Sequence, residues 1–255
     1  MWCLYLSLPH SPGAHQRLSW LVSPHSGMQG PSLSVDTACS SSLVVAHLAA
    51  TSFLPGGCRR ALAAGVNLTV RAETTAVLSK AGMLAVDGRC KTLDAAADGY
   101  MRGEACVAHL LEAATSGDLS PRGAMEAAVL LGTPVNQDGR SSSLTAPNGP
   151  SQQAVIRAAL ERAGVPALDI GTLEMHGTGT ALGDPIEVGA AFVMLQVRGP
   201  SCRVHLAVCY PVIYQLALGR GMRVQSECCC YAVFFTGFWS CSPGASRRQV
   251  ALASC

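Results

Sequence analysis

Ser34-Val35-Asp36-Thr37-Ala38-Cys39-Ser40-Ser41-Ser42-Leu43 is the stretch that decides the fold. A short strand enters, small residues turn the chain tightly, and an apolar segment from Ser40 to about Phe53 leaves as a buried helix. Cys39 falls at the turn, on the N-terminal end of that helix. Unpaired N–H groups and the helix dipole there favour a thiolate over a thiol. The same N–H groups can hold an oxyanion on a thioester carbonyl. This is the strand–nucleophile–helix logic of the hydrolase elbow, with sulfur in place of a hydroxyl. On local context alone, a small buried thiol in a close-packed turn is an equal alternative.

Around this element the chain alternates strand and helix signals. Residues 61–70, 105–111 and 127–135 are short apolar runs bounded by Gly, Asp or Pro, and 170–175 is another that ends at a glycine-rich loop. Ser151 is expected to cap the helix SQQAVIRAALERAG, which stops at Gly164 with Pro166 beyond. Asp184-Pro185-Ile186-Glu187 reads as a second helix start, with Asp184 at the N-cap, Pro185 at N1 and Glu187 completing a capping box. Mixed α/β with buried strands is the class. His176 stands at the end of the 170–175 strand and opens Gly177-Thr178-Gly179-Thr180. Glycines there allow close backbone approach, so the imidazole can reach a substrate, although a surface or structural histidine fits the same pattern. The spacing Gly177-x-Gly179-x-x-x-Gly183 is wrong for a dinucleotide fold, and no P-loop is present.

Composition narrows the classes further. The chain has 255 residues, 49% hydrophobic, 13% charged and 5% aromatic, with a formal net charge of +2. That excludes disorder and gives no reason to expect nucleic acid or an anionic membrane as partner. Five cysteines (Cys3, Cys39, Cys58, Cys90, Cys106) are scattered over residues 1–195, whereas seven crowd into 196–255. That tail also carries six Arg, no Lys and the single acid Glu227. Two compositions share one chain: an enzyme-like body and a Cys/Arg-rich tail of another character. The first residues have no basic n-region, and the apolar runs 204–218 and 228–239 fall short of the roughly 20 residues a span needs, so no membrane span is expected. The default compartment is then reducing and cytoplasmic (a plastid, were the source an alga), with the cysteines as thiols. No metal site is expected, because Cys228-Cys229-Cys230 are adjacent and no C-x2-C pairs flank them. Asn67-Leu68-Thr69 has the form of a glycosylation sequon, but at a buried strand position it carries no meaning.

Four segments, in order, carry a family resemblance. GPSLSVDTACSSSLVVAHLA (30–49) resembles the active-site segment of β-ketoacyl synthase domains of modular type I polyketide synthases, within the thiolase-like superfamily. AGMLAVDGRCKTLDAAADGYMRGEA (81–105), VNQDGRSSSLTAPNGPSQQAVIRAAL (135–160) and EMHGTGTALGDPIEVGA (174–190) follow in that family's order. The resemblance covers residues 15–195 and leaves 1–14 unassigned and 196–255 without a recognisable family. It implies a layered αβαβα thiolase-like fold of which only the central part is present. It also implies a homodimer, an acyl-carrier protein as partner, and acyl and malonyl thioesters as substrates. These ride on the carrier's phosphopantetheine or on CoA, and no bound cofactor is needed. Cys39 would take the acyl group, and His176 would hydrogen-bond the malonyl thioester carbonyl as the enolate forms on decarboxylation. Thr178 and Thr180 would contact the phosphopantetheine arm.

The departures are as informative. The family's second catalytic histidine belongs to a Lys-x-Asn-x-Gly-His motif, and after Glu187 this chain has no lysine and only His205, in a context that does not match. The family's late glycine-rich loop is missing, only 38 residues precede Cys39, and extra residues stand around Ser23–Ser26. Met175 replaces a small residue, and Ser142-Ser143 stands where Asn-Gly is common. A tail translated from an intron or a shifted frame is one explanation for its composition, and a genuine tail is the other. The rival readings are a catalytically dead fragment kept as an interaction or dimerisation module, and a Cys–His hydrolase or thiolase. The last is opposed by the want of an acidic orienting partner.

Overall fold

The computed structural model describes residues 2–7, 27–53, 57–113, 129–143, 145–170, 172–195, 205–208 and 248–249. Its main sheet joins β1 (Trp2–Ser7), β2 (Ser32–Val35), β3 (Arg60–Asn67) and β4 (Ala105–Glu112) in the order β2-β1-β3-β4. β1 runs parallel to both β2 and β3, and β4 pairs antiparallel with β3. Residues 2–7, unassigned from the sequence, thus form an inner strand; Trp-Cys-Leu-Tyr-Leu is β-prone, but no turn signal brackets it. The expected strand over 61–70 stops at Asn67, and that over 105–111 is present in full as β4. Exposure alternates residue by residue along β4, as an edge strand with one face on the core requires. Of 127–135, only Val129–Leu130 (β5) is strand among the described residues; it pairs with β8 (Arg248–Gln249), and β6 (Thr172–Met175) pairs in parallel with β7 (His205–Val208).

The helix after Cys39 begins later than expected. Residues Ala38–Ser40 make a 3₁₀ turn, and α1 spans Ser41–Thr51. Val45 and Ala49 of α1 pack on Ala61 and Ala63 of β3 together with Cys58, with Val35, Leu48, Phe53 and Leu111 around them. Ala49 and Ala61 are completely buried. Such small residues let helix and sheet approach closely, so enlarging either overfills the contact. Cys58 is the exception to the expected thiols: it is disulfide-bonded, whereas Cys39, Cys90 and Cys106 are free. Buried at the return from α1 to β3, its sulfur is held where a second sulfur can meet it.

α2 (Ala72–Lys80) buries no residue, while α3 (Gly149–Ala163) and α4 (Gly183–Met194) pack on each other and on β6. The cap of α3 is Asn148 rather than Ser151: its side chain accepts the Ser151 N–H at 3.2 Å, and Pro150 occupies the first turn. Gly164 ends α3 in the left-handed conformation, as its position in the sequence implies. Ile156, Leu173, Met175, Ala191 and Leu195 form this second core. Met175 is only 2% exposed, so the residue that departs from the family's usual small side chain is a core-filler. The strand, its following loop and α4 are therefore fixed to one another by apolar contact. No described helix is long and apolar enough to cross a membrane.

Candidate active site around Cys39 and His176

The turn that carries Cys39 is held by its own side chains. Ala38 takes a left-handed φ of 55°, a conformation that costs an L-residue roughly 1–2 kcal/mol. Asp36 Oδ1 accepts the Ala38 N–H at 3.0 Å, and Ser41 Oγ accepts the Thr37 N–H at 2.8 Å. Ser41 Oγ donates in turn to the Ala38 carbonyl at 2.7 Å, and Ser40 Oγ donates to the Thr37 carbonyl at 3.0 Å. The Thr37 and Ser40 hydroxyls also bond each other at 2.8 Å. The run Asp-Thr-Ala-Cys-Ser-Ser is thus a set of small donors and acceptors that offsets one strained residue and presents the next one, Cys39.

His176 arrives from the other core, at the end of β6. Glu187 on α4 accepts the backbone N–H of His176 at 2.6 Å and of Gly177 at 3.0 Å. Asp184, buried to 3% exposure, accepts the N–H of Gly179 at 3.1 Å and of Leu93 at 2.8 Å. Thr92 Oγ1 donates to the Gly177 carbonyl at 2.5 Å, and the Gly99 N–H donates to the Gly179 carbonyl at 3.0 Å. The 91–99 segment and α4 therefore grip the histidine loop from two sides. The expected capping role of both carboxylates is not what the fold uses them for. The helix starts at Gly183, and the Thr180 hydroxyl accepts the Gly183 N–H at 3.1 Å. That frees Asp184 and Glu187 to bind the loop. An orienting role for them is hard to read from sequence, because a first-turn acid is also what an ordinary cap looks like; the available signal is the pattern of two acids just after a glycine loop.

Cys39 and His176, 137 positions apart in sequence, are brought close enough for each to shift the ionisation of the other. Burial opposes ionisation of the Cys39 thiol, but the hydrogen bond and charge of His176, with the N–H groups of Cys39 and Ser40, lower its pKa below the ordinary value. Burial likewise works against the imidazolium of His176. The hydrogen bond and charge of Cys39, then the charges of Glu187 and Asp184, outweigh it and raise the pKa. The two shifts are opposed in direction, each residue favouring the charged form of the other. Cys39 is half-buried, and His176 keeps exposed surface as a residue although burial acts on its ring. Thr178 and Thr180 lie on the same loop, half-buried, with their hydroxyls 3.2 Å apart. His205 begins β7 in register with Thr172. Because β6 and β7 are parallel, its backbone stands about 13 Å from that of His176 along the strand direction. Among the described residues no group of His, Cys, Asp and Glu could hold a metal ion.

Asp184→Asn tests the grip on the loop. An amide can accept one N–H, but its own NH2 must face the other donor. A stability loss of about 2 kcal/mol is expected, read from the urea midpoint; an unchanged midpoint would show that Asp184 does not hold the two segments together.

Residues 7–116 match the sequence model of the β-ketoacyl synthase N-terminal domain, and residues 127–208 match that of the C-terminal domain. Erythronolide synthase EryA2 of Saccharopolyspora erythraea is 51% identical over 164 residues, which is 64% of this chain and 4% of that protein. Mycoketide-CoA synthase of Mycobacterium tuberculosis is 49% identical over 164 residues, again 64% of this chain and 4% of that protein. Among solved structures, the oxazolomycin ketosynthase domain OzmH KS7 of Streptomyces albus superposes with a TM-score of 0.73 at 32% identity, over 81% of this chain and 39% of that one. The ketosynthase from module 6 of the bacillaene synthase of Bacillus subtilis gives 0.71 at 29% identity, over 81% and 38%. The chain thus spans less than a tenth of these two synthases and about two fifths of the ketosynthase chains.

Proposed function

Because this chain belongs to the β-ketoacyl synthase family, with a thiolase-like fold, we propose that it performs that family's acyl transfer at Cys39. The Cys39 thiolate attacks an acyl thioester carried on the phosphopantetheine of an acyl-carrier protein, or on CoA, and the departing thiolate takes its proton from His176. The N–H groups of Cys39 and Ser40 are assigned to the tetrahedral oxyanion as its donors. In the complete reaction a malonyl thioester then loses carbon dioxide, with its carbonyl hydrogen-bonded to His176, and the resulting enolate attacks the Cys39 thioester. Thr178 and Thr180 are assigned to the pantetheine arm, reached through rearrangement of their mutual hydrogen bond. The family-like body is taken as residues 15–195, within the span from 7 to 208 over which the two family sequence models match. A homodimer is part of the same proposal.

The observation that carries the reading is the meeting of two distant motifs, with Cys39 and His176 close enough to shift each other's ionisation. A purely structural module has no need of it. Incubation with an acyl N-acetylcysteamine thioester, followed by intact-mass measurement, is the test. The expected result is one acyl increment on the parent and none on Cys39→Ala. Equal uptake by both would remove Cys39 as the nucleophile.

A further inference from the structure

We propose that Lys91 is a positioning residue for His176. Its ammonium ties together the two arms of the 85–99 segment, and that segment holds the loop on which His176 stands. The inference deepens the acyl-transfer reading above and rests on it for one of its two readouts.

The 85–99 segment is a closed loop. At its base the Ala85 N–H donates to the Tyr100 carbonyl and the Tyr100 N–H to the Met83 carbonyl, both at 3.1 Å. The outgoing arm meets the histidine loop at consecutive residues. The Lys91 backbone lies so close to Gly179 that a Cβ there would stand 2.7 Å from the Lys91 nitrogen. Thr92 Oγ1 donates to the Gly177 carbonyl at 2.5 Å, and the Leu93 N–H donates to Asp184 Oδ2 at 2.8 Å. The returning arm meets the same loop through the Gly99 N–H, which donates to the Gly179 carbonyl at 3.0 Å. The stretch from Gly177 to Gly179, which starts at the residue after His176, therefore takes its place from the spacing of the two arms.

Lys91 sets that spacing. Its Nζ stands 2.6 Å from Asp98 Oδ1 on the returning arm and 3.1 Å from Asp87 Oδ1 on the outgoing one. One residue thus touches the histidine loop with its backbone and both arms with its side chain. The loop needs such a tie, because Leu93 takes a φ of 57°. That conformation is strained for an L-residue and persists only where its surroundings hold it. The Lys91 side chain is 22% exposed, less than either acid, so solvent screens its ammonium less than a free surface charge. Ion pairs with exposed acids add little to folding stability; what these two fix is geometry. A misplacement of about 1 Å near a reacting group can cost up to a hundredfold in rate. The contribution of Lys91 therefore shows in rate and in the surroundings of His176 rather than in folding.

Lys91→Met keeps an unbranched side chain and removes the charge, Asp98→Asn neutralises the partner, and Lys91→Arg restores the cation. Each full-length chain is given butyryl N-acetylcysteamine over a range of concentrations, and its gain of one butyryl group is timed by intact mass. In Lys91→Met and Asp98→Asn the rate at saturation should fall about tenfold, with the half-saturating concentration and the urea midpoint little changed. The double variant should lose no more than either single one, as expected of a coupled pair, and Lys91→Arg should stay close to the parent. The second readout is the His176 ring-proton resonance in NMR, identified by its loss in His176→Ala. It should move in Lys91→Met and return in Lys91→Arg. A His176 resonance that stays in place in Lys91→Met, or a saturating rate that no variant changes, overturns the positioning role and leaves acyl transfer standing. Failure of the parent to load overturns acyl transfer, and the resonance then decides the role of Lys91 alone.

Discussion

Gly179→Ala is expected to cost the folded chain roughly 3 kcal/mol, the sum of a left-handed alanine and a steric clash. Gly179 has a φ of +70°, and a Cβ there would stand 2.7 Å from the Lys91 nitrogen and 3.2 Å from the Gly99 carbonyl oxygen. These are backbone atoms, and both segments are already tied: Gly99 by its N–H to the Gly179 carbonyl, Leu93 by its N–H to Asp184. Relief would require the 91–99 segment to move away from the loop that carries His176. Gly139→Ala separates the two contributions, since Gly139 has a φ of +64° with nothing within 4 Å. It should lose only about 1 kcal/mol, the conformational part. The urea midpoint of each variant, followed by circular dichroism, reads the difference. If the two substitutions cost the same, the close approach of Gly179 to Lys91 is not part of the native packing. The same variant should also lower the reactivity of Cys39 in whatever fraction stays folded, because the imidazole moves with its loop.

The elbow is legible in the sequence because its meaning is local. Asp36, Thr37, Ser40 and Ser41 act within four residues of Cys39, and their small polar side chains already announce a turn into a helix. The Gly179 requirement is half legible: a glycine loop is visible, but the partner that demands it, the Lys91 backbone, lies 88 positions away. Asp184 and Glu187 are misread as caps for the same reason. Both a helix cap and a loop clamp are acids near backbone N–H groups, and only the tertiary arrangement says whose N–H groups they meet. β1 escapes a sequence reading because its partners, β2 and β3, are separated from it by long stretches of chain, and a strand's place in a parallel sheet is set by those partners. The disulfide at Cys58 is hidden in another way, since pairing among twelve cysteines cannot be read from spacing.

The second large effect concerns the sulfur. Replacing His176 with Ala should slow alkylation of Cys39 by iodoacetamide at neutral pH by roughly three- to tenfold for every unit by which the thiol pKa rises, since fewer thiolates form but each is more nucleophilic. The sign follows from the forces on Cys39. In the parent, burial pushes the thiol up, but the hydrogen bond and charge of His176 and the N–H groups of Cys39 and Ser40 together bring it below the ordinary value. The thiolate is then present at and above a pH lower than that of a free cysteine, and is lost as pH falls through that midpoint. Removing the imidazole takes away the two largest lowering contributions and leaves burial opposed only by the two N–H groups, so the midpoint moves upward. The parent and His176→Ala profiles should therefore separate most near neutrality and approach each other as the pH rises past the variant's midpoint. Quantifying the Cys39 peptide by mass spectrometry isolates this sulfur from the other cysteines, and repeating the reaction in urea should erase the difference. The reciprocal shift is on the imidazole. In Cys39→Ala, His176 loses the hydrogen bond and charge that raise it and should titrate lower, which its ring-proton resonances in NMR would report. Superimposable alkylation profiles for parent and His176→Ala would mean that the two residues do not share a proton, and the chemistry assigned to the pair would fall with them.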